Sequence, residues 1–253
     1  MMRLRQIAFV AQDLAKVVDD LCGVLGVEVC FRDPGVAEFG LHNALMPLGD
    51  RFLEVVSPVR EGTTAGRLLE RRRGDGGYMV IVQVDDLAAQ RKRVEELGVR
   101  IVWKAELAPA ATIHLHPRDV GAAILSFDWM REPDGWLWAG PEWREHVRTD
   151  LTRRMVGAEL QGPDPRALAE RWGQVFGRPV RPRAEGGYEL ALDGGTYLRF
   201  VADHDGRGEG VSGLDVEVSD PLEVVHRARA RGVPATHDEV EICGVRIRLL
   251  RPS

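Results

Sequence analysis

The sequence predicts an α+β fold in which four βαβββ modules pair into two domains, each a mixed β-sheet covered by helices on one face. Three observations predict it. A pattern of strand, capped helix, glycine stop and strand recurs four times along the 253 residues. A run with the alternating polarity of strands follows each helix. Between the second and third copies, proline and glycine interrupt regular structure.

The first module shows the pattern most plainly. The segment RQIAFVAQDLAKVVDDLCGVLGVEV begins as an alternating strand and continues with apolar residues at helical spacing. Asp13 is the predicted N-cap, because its carboxylate can accept backbone N–H groups that have no partner in the helix. Gly26 is the predicted stop, because the residue that ends a helix often needs a positive φ.

The other modules repeat these signals. The predicted caps are Asp86, Asp164 and Asp220. Pro165 suits the first turn of the third helix, where a missing N–H costs nothing. The strand runs after the helices contain turn signals at 48–50, 117–119 and 193–195, and near Gly244. Each module therefore supplies one strand, one helix and about three more strands.

The interruption between modules two and three places the domain boundary. We predict an N-terminal domain at 1–131, a linker at 132–152 and a C-terminal domain at 153–253. Four tryptophans lie at or within this linker: Trp129, Trp136, Trp138 and Trp143. They either join the two halves by burying apolar area, or form an aromatic lid over a pocket.

Composition excludes several classes of protein. The formal net charge of -5 opposes sequence-independent binding of nucleic acid. The sequence contains no run of about 18 apolar residues, so no membrane helix is predicted. Three cysteines without a metal-binding spacing favour a reducing, cytoplasmic setting. The expected partner is a small-molecule ligand.

The βαβββ pattern, which covers nearly the whole chain, resembles the vicinal-oxygen-chelate superfamily, and NALMPLGDRFLEVVSP resembles its glyoxalase-like branch. The resemblance implies that two modules form one cupped sheet. It also implies that ligands for a divalent metal project into the cup from the first and last strands of each module. The metal would bind neighbouring oxygens of a substrate and stabilise an enediolate or a related anion.

Carried over to this chain, the ligand positions are Gln6 and Glu54 in module one and Met79 and Asp128 in module two. Strand alternation points Gln6 and Glu54 into the cup. Met79 breaks the pattern, because hard cations prefer oxygen to a thioether. The predicted metal ligands are therefore Gln6, Glu54 and Asp128, with water completing the shell. The alternative is a cup without metal, in which these residues line a wet cavity.

His114 and His116 are two apart on one predicted strand and so share a face. The stretch HPRDVGAAILSFD is similar to a segment of methylmalonyl-coenzyme A epimerases, which carry a comparable His-Pro before the last metal-bearing strand. Either histidine could serve as a general base, because imidazole titrates near neutrality. The alternative is a ring hydrogen-bonded at the rim.

In the C-terminal half the corresponding positions carry no metal ligand: Gly157 (or Val156), Arg199, Gly213 and Arg248. Arg199 and Arg248 would face the cup, with Arg246 beside Arg248. Asp215 and Glu217 share that face. Either the opposite charges neutralise one another across a filled, vestigial site, or the arginines bind a carboxylate or phosphate.

Two functions follow. The first is a glyoxalase-like lyase, isomerase or epimerase acting on a small oxygenated metabolite, with Glu54 as metal ligand and proton acceptor and His114 or His116 assisting. The second is a metal-free protein that binds or sequesters a small molecule in the same cup. Because each chain carries two module pairs, a cup is complete without a second subunit, and a homodimer remains open.

Overall fold

The structure is a computed structural model and describes residues 1–252. Modules one and two contain the strands β1 (Met2–Val10), β2 (Leu41–Leu48), β3 (Arg51–Pro58), β4 (Gly76–Val84), β5 (Ile101–Glu106), β6 (Ala110–Leu115) and β7 (Ile124–Met130). Their helices are α1 (Leu14–Leu25), α2 (Thr64–Arg72), α3 (Leu87–Glu96) and the single turn α4 (Pro117–Val120).

Modules three and four contain the strands β8 (Thr152–Gly162), β9 (Val180–Pro182), β10 (Tyr188–Leu192), β11 (Thr196–Ala202), β12 (Gly210–Val218), β13 (Glu239–Ile242) and β14 (Val245–Leu250). Their helices are α5 (Pro165–Phe176) and α6 (Pro221–Ala230). Among these described residues, no helix is long and apolar enough to span a bilayer.

Each pair of consecutive modules forms one seven-stranded sheet. The strand orders are β2-β3-β1-β4-β7-β6-β5 and β13-β14-β12-β8-β11-β10-β9. In every module the first strand runs parallel to the last, and the hairpin strands run antiparallel. The sheets are therefore mixed, and the predicted α+β fold of paired βαβββ modules is confirmed.

Modules one and four have two strands after the helix instead of about three. In module one the missing strand is reduced to one bridge between Phe31 and Leu45, followed by a 3-10 turn at Pro34–Phe39. Pro34 cannot donate a ladder hydrogen bond and has a fixed φ, so it ends the extended segment. In module four only Ala235 bridges to Val240. Helix α2, between modules one and two, was not predicted.

The predicted caps are confirmed. The carboxylate of Asp13 accepts the N–H of Lys16 at 3.0 Å, and Gly26 ends α1 with a φ of 69°. The Asp164 carboxylate accepts the N–H of Ala167 at 3.0 Å at the start of α5. These local signals need no tertiary contact, which is why sequence alone located the helix starts.

Replacing Asp164 with alanine is expected to lower the free energy of unfolding by about 1 kcal/mol, because a backbone N–H of α5 loses its acceptor. Urea denaturation measures the change. Asp164→Asn is the matched control, because asparagine also caps helices. Equal midpoints for the two variants would contradict the capping role.

Packing divides the chain into two compact units that differ from the two sheets. One unit contains residues 1–5, 79–137 and 157–211, and the other contains 6–78, 138–156 and 212–253. The first thus contains most of modules two and three, and the second most of modules one and four. Each sheet is formed by two modules that are consecutive in the sequence, whereas each packing unit combines parts of modules from both halves of the chain. The domain boundaries at 131 and 153 therefore stay a prediction.

Two of the four linker tryptophans are buried within these units. In the first unit, the guanidinium of Arg5 lies over the buried ring of Trp136, 5.4 Å from its centroid. In the second unit, the buried Trp143 meets Phe52 edge-on at 5.0 Å. Both rings pack against other side chains. The two interpretations of the linker, a join between the halves and a lid over a pocket, stay predictions.

Candidate functional site

A buried carboxylate, Glu54, lies at the centre of a polar cluster in module one. In the β1–β3 register Glu54 stands beside Ala8, which places it on the same sheet face as Gln6. The Gln6 Nε2 donates to Glu54 Oε2 at 2.8 Å, and Asn43 Nδ2 on β2 donates to Oε1 at 2.6 Å. The structure therefore brings Gln6 and Glu54 together, as strand alternation predicted, and adds Asn43.

Asn43 is held in one orientation by the segment that replaced a strand. The backbone N–H of Asp33 donates to Asn43 Oδ1 at 2.8 Å, so the amide nitrogen faces Glu54. Asp33 is itself the cap of the 3-10 turn, where its carboxylate accepts the N–H of Gly35 at 2.8 Å. Sequence analysis missed Asn43. The sequence signal for Asn43 is that it lies two positions before Leu45, the residue that pairs with Glu54, and so shares a sheet face with Leu45.

The surroundings of Glu54 favour its protonated form. Glu54 is 7% exposed, and burial raises the pKa of its carboxyl group above the usual range. The hydrogen bonds from Asn43 and Gln6 oppose this shift in pKa, and the negative charge of Asp33 adds to it. Both donors are neutral amides. The carboxylate is thus held at both oxygens and is a stronger base than one in water.

A cavity of about 350 Å³ is lined by residues of β2, α2 and β4 and of the loops next to them. Its lining residues are Phe39, Leu41, Arg60, Glu61, Gly62, Thr63, Thr64, Ala65 and Tyr78. Burial raises the pKa of Tyr78 to about 12, and the charge of Glu54 also acts to raise it. The phenol is therefore neutral at physiological pH. Tyr78 thus lines this cavity and also lies within electrostatic range of Glu54.

A second and larger cavity, of about 730 Å³, shares Arg60, Glu61 and Gly62 with the first. Its other lining residues come from the end of β1, the end of β3 and the region of α2: Gln12, Pro58, Gly66, Leu69, Glu70, Arg73 and Gly74. The unpredicted helix α2 thus forms a wall of both cavities.

Asp128 takes part in a hydrogen-bond network of module two. Ser126 Oγ donates to Asp128 Oδ2 at 2.5 Å and lies 2.9 Å from Thr112 Oγ1. All three side chains are buried. The β4–β7 register places Met79 opposite Ile124, two residues before Ser126, so Met79 and Asp128 share a sheet face.

The two histidines have different surroundings. His114 pairs with Ser126 across β6 and β7, so it joins the face of Asp128. Part of His114 reaches solvent, but dense surrounding protein lowers its pKa to about 4, and its ring lies 4.6 Å from that of Trp103. His116 instead caps α4, where its Nδ1 accepts the N–H of Arg118 at 3.0 Å.

The residues around Glu54 do not fit a divalent metal held by protein ligands. Gln6 and Asn43 present N–H groups to the carboxylate, whereas a cation needs oxygen. Across residues 1–252, no three His, Cys, Asp or Glu side chains gather closely enough to hold a metal ion. We therefore derive no step through a metal, and the predicted ligand set of Gln6, Glu54 and Asp128 stays a prediction.

In the C-terminal sheet, opposite charges pair as one of the two interpretations predicted. Arg248 donates to both oxygens of the fully buried Asp215, at 3.1 and 2.9 Å. Arg199 pairs with Glu159, a partner that sequence analysis missed. Glu217 pairs with Arg154 at 2.7 Å. Neutralisation is confirmed for Asp215 and Arg248.

The two sheets built from paired βαβββ modules are those of the vicinal-oxygen-chelate superfamily. A family model described as a glyoxalase-like domain matches residues 7–176. The chain belongs to this glyoxalase-like family.

Curated relatives match about half of the chain. An ethylmalonyl-CoA/methylmalonyl-CoA epimerase of Cereibacter sphaeroides is 25% identical over 130 residues, which are 50% of this chain and 96% of that protein. A mitochondrial methylmalonyl-CoA epimerase of Bos taurus is 26% identical over 129 residues, 50% of this chain and 73% of that protein. A solved structure of a hypothetical protein from Staphylococcus aureus is 10% identical over 100% of both chains, with a TM-score of 0.71, and supports the fold alone.

Proposed function

We propose that this chain is an isomerase of the epimerase type, which moves a proton on a carbon next to a carbonyl group, with Glu54 as the proton acceptor. One observation carries the proposal. Glu54 is buried, both of its oxygens are held by neutral amides, and its pKa is raised. The names of the two curated relatives, both epimerases, support the same class of reaction.

The chemistry follows from the surroundings of Glu54. A general base is most effective when its pKa lies near the working pH, and burial shifts the carboxyl group in that direction. In the step, the C–H bond breaks, the proton goes to an oxygen of Glu54, and the electron pair passes to the carbonyl oxygen as an enolate. Gln6 and Asn43 hold the carboxylate in position throughout. A proton from water then adds to the opposite face of the α-carbon, where the enolate electron pair forms the new C–H bond with inverted configuration, and Glu54 releases its proton to water.

The substrate class that we propose is an acyl thioester with an acidic α-carbon. The two curated relatives are named for such thioesters. The cavity beside Tyr78, at about 350 Å³, lies within the range typical of small-molecule sites. The adjoining cavity lined by Arg60 and Arg73 gives room for a longer acyl carrier.

The test is deuterium exchange at the α-carbon of methylmalonyl-CoA in heavy water, followed by mass spectrometry. The wild type is expected to catalyse exchange, and Glu54→Gln to slow it by at least about 100-fold, the usual contribution of a general base. Glu38→Gln, an exposed change in the same module, is the matched control and should leave the rate unchanged. Wild-type rates in Glu54→Gln, or no exchange by the wild type, would overturn the proposal.

A metal-free binding protein is the second candidate. It is favoured because each Glu54 oxygen accepts one amide N–H, an arrangement that holds the carboxylate without a cation. Calorimetric titration with methylmalonyl-CoA separates the two functions. Binding without exchange would support sequestration, and exchange would exclude it.

A further inference from the structure

Several hydrogen-bond donors surround the cavity of about 350 Å³ at the start of α2. We propose that this cavity binds an oxyanion of the ligand, a carboxylate or a phosphate group, between the first N–H groups of α2, the guanidinium of Arg60 and the phenol of Tyr78. Treating the cavity as a substrate site rests on the proposed function, whereas binding of an anion is measurable without catalysis.

The start of α2 supplies two backbone donors. Thr63 caps this nine-residue helix, and its Oγ1 accepts the N–H of Gly66 at 2.9 Å. The N–H groups of Thr64 and Ala65 have no acceptor among residues 1–252, although both residues line the cavity. Ala65 is 0% exposed, and a buried N–H without an acceptor is rare in folded proteins. Because the N-terminus of a helix also carries partial positive charge, an anion is the ligand that it suits.

A buried phenol indicates the same kind of ligand independently. Tyr78 lines the cavity and is 8% exposed. Its hydroxyl group has no hydrogen-bond partner within the described chain, whereas a buried tyrosine usually has one. The phenol keeps its proton at physiological pH, because burial and the charge of Glu54 raise its pKa to about 12. It can therefore donate a hydrogen bond to an oxyanion without adding a negative charge of its own.

Arg60 lines both cavities and supplies a full positive charge. Its guanidinium makes no hydrogen bond or ion pair with any residue that the structure describes. Its side chain lies across Gly40, where an added Cβ would collide with Nε and Cγ of Arg60. Gly40 is tied to the segment before Arg60, because its carbonyl oxygen accepts the N–H of Val59 at 2.9 Å. The stem of Arg60 is thus supported by the backbone while its charged end stays available.

Most acceptors near the start of α2 are already occupied. The Arg67 guanidinium donates to the carbonyl oxygen of Gly62 at 2.7 Å and to Thr64 Oγ1 at 2.9 Å. Its positive charge also reaches Tyr78, on whose pKa it acts in the lowering direction. Glu61 lines the cavity as well, but it is exposed, so water and salt screen its charge. Free donors thus outnumber free acceptors among the described residues, and this balance favours an anion over a cation.

A carboxylate or a phosphate suits these donors, because its several oxygens can accept from a guanidinium, a phenol and helix N–H groups at the same time. Both occur in the proposed substrate class, since a malonyl-type acyl group carries a carboxylate and its carrier carries phosphates. Tyr78 is within electrostatic range of Glu54. A carboxylate bound at Tyr78 would therefore bring the carbon that carries it close to the proposed base.

The test is calorimetric titration of the full-length protein with sodium malonate and, in a separate arm, with sodium phosphate at the same pH and ionic strength. The wild type is expected to bind malonate, which assigns the site to a carboxylate, or phosphate alone, which assigns it to the carrier. Arg60→Met and Tyr78→Phe should each weaken binding about tenfold, the loss expected for one hydrogen bond to a charged group. Arg60→Lys should bind more tightly than Arg60→Met, because it keeps the charge.

Matched controls separate this site from a general effect of charge or of lost phenols. Arg71→Met removes an exposed arginine from the other end of α2, and Tyr188→Phe removes a phenol from β10, so both should bind as the wild type does. Glu54→Gln should bind at least as tightly, because it removes a nearby negative charge. Binding of neither anion by the wild type would overturn the proposal, as would unchanged affinity in either Arg60→Met or Tyr78→Phe. Anion binding without deuterium exchange would overturn only the proposed function.

Discussion

Replacing Arg199 alone with methionine is expected to lower the free energy of unfolding by about 3–5 kcal/mol, because it leaves a buried carboxylate without its partner. Arg199 and Glu159 stand directly opposite each other on β11 and β8, and each is 7% exposed. The Arg199 guanidinium donates to the Glu159 carboxylate. Without it, the carboxylate must be protonated or draw in water, and both responses destabilise the fold.

The double variant Glu159→Leu with Arg199→Met should recover most or all of this loss. Two apolar side chains of similar volume remove both desolvated charges, and such replacements are often neutral or stabilising. Urea denaturation of both single variants and the double variant measures the coupling. The exposed pair Arg166 and Glu170 on α5 is the control, where a single change should cost less than about 0.5 kcal/mol.

If Arg199→Met lowers the free energy of unfolding no more than Arg166→Met does, the charged residues of the C-terminal sheet are not tightly paired in its core. A double variant as unstable as the single one would equally contradict the account. The expected result would support a filled, neutralised site over an arginine pocket for an anion, because a guanidinium already bound to Glu159 has little surface left for a ligand.

The second large effect is a loss of stability with rising pH that depends on Glu54. Its pKa is raised in the folded protein, so the folded state binds a proton at pH values where the unfolded state has lost it. This contribution to stability is full below the unfolded pKa of about 4.3 and disappears as the pH rises through the folded pKa. The loss approaches about 1.4 kcal/mol per pH unit inside that window.

Glu54→Gln isolates this contribution, because glutamine does not titrate. The wild type should lose stability relative to Glu54→Gln as the pH rises above the unfolded pKa, as measured by urea denaturation at several pH values. His114 acts in the opposite direction: its pKa of about 4 makes stability rise as the pH increases from about 4 to 6.5. Both proteins contain His114, so its contribution cancels in the difference.

Glu38→Gln, an exposed change in the same module, is measured over the same pH range as the control. A stability difference between the wild type and Glu54→Gln that does not vary with pH would show that the carboxyl group is not perturbed. It would also weaken the proposed role of Glu54 as a base. Functional sites often contain residues that lower the stability of the fold at the working pH, because activity and stability are selected separately.

The sequence by itself determined the modular plan. Asp13, Asp164 and Gly26 act through their immediate neighbours, and strand alternation places Gln6 and Glu54 on one face without reference to the rest of the chain. These features depend on contacts a few residues apart. The same local rules could not show that Pro34 would remove a strand, because competing extended and turn conformations are separated by small free energies.

Only the tertiary structure decided the partners. Asn43 reaches Glu54 from a neighbouring strand. Arg199 pairs with Glu159, which lies forty residues earlier in the sequence, and Gln161 contacts a loop that begins forty-two residues after it. Each pairing depends on a strand register, and a shift of one residue would turn every side chain to the other face. Burial then sets the chemistry, because a carboxylate becomes a base or half of an ion pair according to what the folded chain places beside it.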